Sequence, residues 1–273
     1  MIEYFQYPFF RYALYGILII SVAAAIIGSY VITRRLVAIS GGVTHACFGG
    51  LGLGYYLGIN PIAGAAVFAI ASSVGVEWLS SRVRVREDSA IAVIWAVGMA
   101  IGVLFVFLTP GYVPELNSFL FGNILNISTL DLIASGIYLA VLLTFFCCFY
   151  NRIVACAFDR DFATVSGLHV KFITYTMTVL TAICIVLTIR LVGIMLLMSM
   201  LTLPQMVAET LCRRFRSMII VSVVVSVVCC VAGLLAGAAI DVPCSATIVI
   251  ITAAVFAAAK IFAFARLRLS DPD

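Results

Sequence analysis

The sequence predicts an all-α fold: a polytopic helical membrane protein. Composition is the first reason. The 273 residues are 64% hydrophobic and 10% charged, with a mean hydropathy of +1.23. A soluble domain carries about 25% charged residues, so this chain cannot build a water-facing surface. The second reason is that nearly uncharged runs long enough to cross a bilayer recur along the whole length. The third is that basic residues fall in alternate connections between those runs. They are scattered instead of gathered on one face, which argues against nucleic acid as a partner despite a net charge of +4. Two cysteine pairs, Cys147–Cys148 and Cys229–Cys230, lie inside apolar runs. There they behave as small hydrophobes, which argues against a disulfide framework.

About nine transmembrane helices are predicted, near 12–32, 38–59, 61–79, 89–109, 129–149, 172–190, 191–210, 217–240 and 245–266, with eight as the alternative count. The first is preceded by Glu3 and a lone Arg11 and followed by Arg34 and Arg35, the reverse of secretory-signal charge order. Only Asn60-Pro61 separates the second from the third, a pair suited to a tight reversal. The sixth meets the seventh at Arg190 with almost no loop. One set of connections holds Arg34 and Arg35, then Arg82, Arg84 and Arg86, then Arg152, Arg160 and Lys171, then Arg213, Arg214 and Arg216, and finally Arg266 and Arg268. The other set holds only Arg11 and Arg190. Nine spans with the N-terminus outside and the C-terminus in the cytoplasm accommodate this bias, whereas eight would strand a basic loop. The whole chain, 1–273, reads as a single transmembrane domain.

Two connections are longer than a turn requires. The outer one, 109–128, has turn residues and then an apolar stretch too short to cross, which predicts a re-entrant or interfacial segment. The inner one, 151–171, carries Ile153, Ala157, Phe158, Phe162 and Val165 at helical spacing. That pattern predicts a short amphipathic helix on the cytoplasmic face, either lying on lipid or docking a partner.

Few polar residues fall deep in the spans. His45 lies ten residues past Arg35, about 15 Å along a helix and so near the middle of a hydrocarbon layer of about 30 Å. A titratable group there normally faces a bundle interior or an aqueous path, and imidazole is a good ligand for transition metals. Interhelical hydrogen bonding would explain it equally well. Thr44 is adjacent and can bond its own backbone. Cys47 lies about 200° around a helix from His45 and shares a site with it only if the helix breaks. The glycines 41, 42, 49, 50, 52 and 54 suit close helix packing, Gly50 and Gly54 as a small-xxx-small pair. Gln205 and Glu209 share a face after Pro204, which is expected to kink the seventh span. Glu209 is expected to pair with Arg213, and Met195, Met198 and Met200 to serve packing. Glu77 is placed at the inner interface, and His169 in solvent.

Six stretches, in order along the chain, resemble the membrane subunit of the ABC importers for zinc and manganese. "RRLVAISGGVTHACFGG" is similar to that family's basic pair, small-residue stretch and Ser/Thr-His. "VREDSAIAVIWAVGMAIGVL", "LNSFLFGNIL", "FDRDFATVSGL", "RLVGIMLLMSMLTLP" and "DVPCSATIVII" are similar to its remaining segments. The resemblance runs nearly end to end. It implies a type II ABC importer-like permease in a bacterial plasma (inner) membrane, working as a homodimer. It also implies two partners besides lipid: a separate ATP-binding subunit and an extracytoplasmic metal-binding protein. The chain itself would not be an enzyme and would hold no permanent cofactor. Its lysines, Lys171 and Lys260, do not follow glycines, so no phosphate-cradling GxxxxGK[ST] loop is present. The 151–171 loop would dock the ATPase through Phe158, Asp159, Arg160 and Phe162.

In the family an aspartate usually stands four residues before the histidine, and the two are implicated in holding the metal. Here that position is Gly41. His45 carries over as the metal ligand, with Thr44, Cys47 and Gln205 as weaker candidates. Without the carboxylate the site shifts toward a softer, imidazole-dependent ion, so zinc leads, with manganese and iron behind. Two copies of His45 across a homodimer axis would supply two imidazoles. The alternatives are an ion-coupled secondary carrier and a permease of the cobalamin or siderophore type. A secondary carrier often shows paired broken helices in an internal repeat, and none is visible here.

Overall fold

The computed structural model describes residues 6–83, 85–110, 122, 124 and 127–270, with only the backbone of 267–270. Ten α-helices follow one another in these residues: α1 (Pro8–Thr33), α2 (Val37–Leu57), α3 (Pro61–Val83), α4 (Glu87–Leu108), α5 (Thr129–Phe158), α6 (Arg160–Val165), α7 (Val170–Met200), α8 (Leu203–Leu211), α9 (Phe215–Ile240) and α10 (Cys244–Ser270). Eight runs are long and apolar enough to cross a membrane, with α7 and α8 counted together as Val170–Leu211. Most of the predicted outer segment 109–128 lies outside the described residues.

The described residues fall into two compact units. One takes its residues from 1–32, 120–139 and 191–273, the other from 33–119 and 140–190. The chain passes from unit to unit inside α5 and inside α7.

In the second unit, α2 is the buried core helix, with Ile39 to Gly54 largely inaccessible. It touches α3 and α4 backbone to backbone. A Cβ on Gly54 would stand 2.7 Å from the Pro61 Cα, one on Gly98 would stand 2.6 Å from the Ala46 Cα, and one on Gly102 would stand 2.6 Å from the Phe48 carbonyl carbon. Small residues at each crossing are what permit this approach. The α2–α3 reversal follows turn chemistry. Gly58 caps α2 at φ 67°, its N–H bonding the Gly54 and Tyr55 carbonyls. The Asn60 Oδ1 then accepts from the Ile62 N–H at 2.9 Å, ahead of Pro61 in the first turn of α3.

In the first unit, α1 and the residues after Gly193 run side by side. A Cβ on Gly28 would stand 2.7 Å from the Leu201 carbonyl oxygen and 2.7 Å from the Gln205 Cδ, with the Gln205 Nε2 closer still. One turn further on, Ile32 packs with Ala208 and Met218. Helices α9 and α10 form an antiparallel pair, with Gly233 against Ile248 and Gly237 against Cys244. Asp241 turns the corner between them at φ 60°.

Three expectations are revised here. The sixth and seventh spans do not part at Arg190, because the helix runs on to Gly193, which sits at φ 82°, ψ 172°. Glycine alone adopts such a conformation without strain. The 42 residues of Val170–Leu211 would make a continuous helix about 63 Å long, about twice a hydrocarbon layer, and Gly193 breaks it. Pro204 does not kink a continuous span. The helix ends at Met200 and α8 begins afresh with Pro204 in its first turn, the position where the missing N–H costs nothing. The apolar set of 151–171 does not form one stripe. Ile153 and Ala157 are buried near the end of α5, whereas Phe158, its last residue, and Phe162 and Val165 of α6 are exposed.

Candidate functional site

His45 sits in an unbroken α2. Its imidazole stacks parallel to the Trp95 ring, with centroids 4.8 Å apart and planes 3° apart, and the Phe48 ring lies 6.2 Å away. The residue as a whole is half-buried, but its Nδ1 is buried and has no hydrogen-bond partner. Interhelical hydrogen bonding through this atom has no partner among the described residues, which leaves Nδ1 available as a ligand. Trp95, which holds the ring in place, was not singled out by sequence reasoning. Only its place in an apolar run two spans further along the chain could have hinted at it.

The weaker candidates are otherwise engaged. The Thr44 hydroxyl is buried and donates to the Ser40 carbonyl one turn back. Cys47 is buried, its thiol donates to the Val43 carbonyl at 3.0 Å, and the intact helix keeps it on the face away from His45. Gln205 belongs to the other unit. Its Nε2 donates to the Ala24 carbonyl at 3.2 Å and the Met200 carbonyl at 2.9 Å, tying α1 to the end of α7, while its Oε1 is buried without a partner. Among the described residues, no group of three or more His, Cys, Asp or Glu is placed to hold a metal ion. Gly41 lies one turn before His45 on the same helix face, so a carboxylate there would have stood next to the imidazole.

The short helix α6 is a rigid ledge. The Asp159 carboxylate caps it, accepting the Phe162 N–H at 2.8 Å. Gly167, at φ 75°, closes it, with the Leu168 N–H bonding the Ala163 carbonyl at 3.1 Å. Ala163 is fully buried beneath, while Phe158 is 66% exposed and Phe162 64% exposed. Arg160 turns the other way. Its guanidinium pairs with Glu77 and, at 3.5 Å, with Glu87. Arg34 completes the ring, 3.5 Å from Glu77 and 3.0 Å from Glu87. Glu77 is therefore no lone interfacial carboxylate but the buried hub of a four-residue network, its side chain 5% exposed and that of Arg34 4% exposed. These partners lie 43 to 83 residues apart in the chain. Only the rarity of charge in the apolar ends of α3 and α4 could have pointed to them. The expected Glu209–Arg213 pair does not form. Instead the two residues line a cleft of about 700 Å³ with Phe262 and Arg266.

Residues 6–263 match the model of the ABC 3 transport family. The chelated iron transport system membrane protein YfeD of Yersinia pestis is 34% identical over 265 residues, covering 95% of this chain and 87% of that protein. The manganese transport system membrane protein MntC of Listeria monocytogenes is 27% identical over 258 residues, covering 94% and 92%. Among solved structures, PsaBC from Streptococcus pneumoniae in complex with Fab superposes with a TM-score of 0.82 at 25% identity, covering 95% of each chain.

Proposed function

The chain belongs to the ABC 3 transport family and is a multi-pass, non-catalytic permease subunit of a metal ABC transporter; from that premise we propose that it imports a divalent transition-metal ion, zinc foremost, past His45. The observation that carries this reading is the buried, unpartnered Nδ1 of His45 in an unbroken helix. An unsatisfied buried polar atom costs roughly 1–3 kcal/mol, and of the seven such side-chain atoms among the described residues only this one belongs to an imidazole, a good ligand for transition metals. Because His45 is the one histidine inside a predicted span, the transient site needs a second copy, and a homodimer supplies it. So sparse a ligand set also suits transport, which requires release as much as capture. The charge bias of the loops supports an N-terminus outside and a C-terminus in the cytoplasm.

On the cytoplasmic side, a separate ATP-hydrolysing subunit docks on α6, with Phe158 and Phe162 entering an apolar cleft on that partner. An extracytoplasmic metal-binding protein delivers the ion on the opposite side. Manganese or iron is the second reading, and the names of the Listeria and Yersinia relatives favour it. Without a carboxylate at Gly41, nitrogen ligation dominates, which favours zinc over manganese. Uptake of zinc-65 by vesicles holding the permease with its ATPase, in competition with manganese and ferrous iron, decides between them. Zinc uptake that is ATP-dependent and resists a tenfold excess of manganese is expected. Displacement by equimolar manganese would overturn the choice of zinc.

A further inference from the structure

The Arg34–Glu77–Glu87–Arg160 ring joins two parts of the second unit that have different tasks. One part is the α2–α3–α4 block. Its helices touch through glycine backbones at Gly98–Ala46, Gly102–Phe48 and Gly54–Pro61, and it carries His45. Interlocked backbones leave little room for one helix to slide past another, so the block moves as a body. The other part is the α6 ledge with its exposed rings. Three members of the ring stand on the block: Arg34 three residues before α2, Glu77 near the end of α3 and Glu87 as the first residue of α4. Arg160, the first residue of α6, is the fourth.

The chemistry of the ring makes it a firm joint. Each guanidinium reaches both carboxylates, so among these four residues two positive and two negative charges close a balanced ring. Ser80 adds a hydroxyl hydrogen bond to Glu87 at 3.4 Å. Buried Glu77 and Arg34 make separation costly, because pulling Arg160 away leaves a net negative charge among apolar helices. The planar five-donor fork of arginine bridges two carboxylates at once, which a lysine ammonium does less well.

We propose that Arg160 is a positioning residue for transport: it transmits displacement of the α6 ledge, driven by the ATPase, to the α2–α3–α4 block and so to His45. The inference rests on α6 being the ATPase docking segment. A push on Phe158 and Phe162 reaches the block through the charge ring, and the block shifts without its internal packing being remade.

The test uses the permease assembled with its ATP-hydrolysing subunit in proteoliposomes, reading metal ions moved per ATP hydrolysed, retention of the ATPase on the purified permease, and the permease's Tm in detergent. For Arg160→Gln, ATP turnover continues while metal moved per ATP falls by about tenfold, the scale of a typical coupling free energy. Arg160→Lys, which keeps the charge, recovers part of the ratio, and it serves as the working variant if Arg160→Gln fails to fold. Wild-type ions per ATP in Arg160→Gln, or a lowered Tm with the ratio intact, would overturn the proposal. Loss of the ATPase from Arg160→Gln would overturn it too, by making Arg160 a docking contact. The paired variant Phe158→Ala with Phe162→Ala tests the docking segment separately: it should shed the ATPase. If it keeps the ATPase and couples normally, the docking reading falls; if it sheds the ATPase while Arg160→Gln couples normally, only the transmission role falls.

Discussion

Around His45, α2 lies against α3 and α4 with backbone touching backbone, and the single polar ring in that stretch keeps a buried nitrogen without a partner. Around α6 the order is inverted: every charge of Arg34, Glu77, Glu87 and Arg160 is matched, while two phenylalanine rings stand in the open. A ligand site must hold polar capacity in reserve, whereas a docking ledge must settle its own charges first and leave apolar surface over. The contrast separates the place proposed for ion passage from the place proposed for partner docking.

The largest expected effect breaks the charge-matched side of that contrast. Glu77→Ala removes the hub and leaves two guanidiniums facing one carboxylate. The loss should be about 3–5 kcal/mol, the cost of breaking a buried ion pair from one side. Thermal unfolding in detergent reads it as a markedly lower Tm, and an unchanged Tm would mean that the ring adds nothing to the fold.

A smaller effect sharpens the other side. Gly50→Ala places a Cβ against the Gly64 carbonyl carbon and within 2.8 Å of the Ala65 nitrogen, atoms that cannot swing aside. Overpacking of this kind costs about 1–3 kcal/mol. Gly136→Ala adds the same methyl group in α5, where no atom stands within 4 Å, and should gain up to about 1 kcal/mol of helix propensity. Opposite signs of Tm shift are expected for one chemical change. Equal shifts would contradict backbone-to-backbone packing as the role of the α2 glycines.

Most helix bounds were legible because hydropathy over about 20 residues leaves little freedom in a bilayer, and the Asn60-Pro61 reversal was legible because its turn chemistry is local. Gly193 was not. In "RLVGIMLLM" a glycine flanked by apolar residues looks like another packing position, and only its positive φ marks the break in the helix. The 151–171 stretch misled for a related reason. Helical spacing was real on both sides of Asp159, but that residue is an N-cap, so the two halves present different faces. His45 could be singled out from depth and rarity alone. Its stacking on Trp95 and the charge ring could not, since both depend on which distant helices meet. The resemblance drew attention to Arg160 in the same stretch as the two phenylalanines. The structure gives its guanidinium internal partners, which periodicity had no means to register.

The central claim is that the reserve capacity at His45 serves a passing metal ion, and His45→Gln tests it most directly. Glutamine keeps a polar group of similar reach and can hydrogen-bond, but it is a poor zinc ligand. ATP-driven metal uptake by this variant in proteoliposomes should fall to background, while unfolding stability stays within about 1 kcal/mol of wild type because the glycine contacts, not the imidazole, hold α2. Uptake at the wild-type rate would contradict the account and return the imidazole to a packing role.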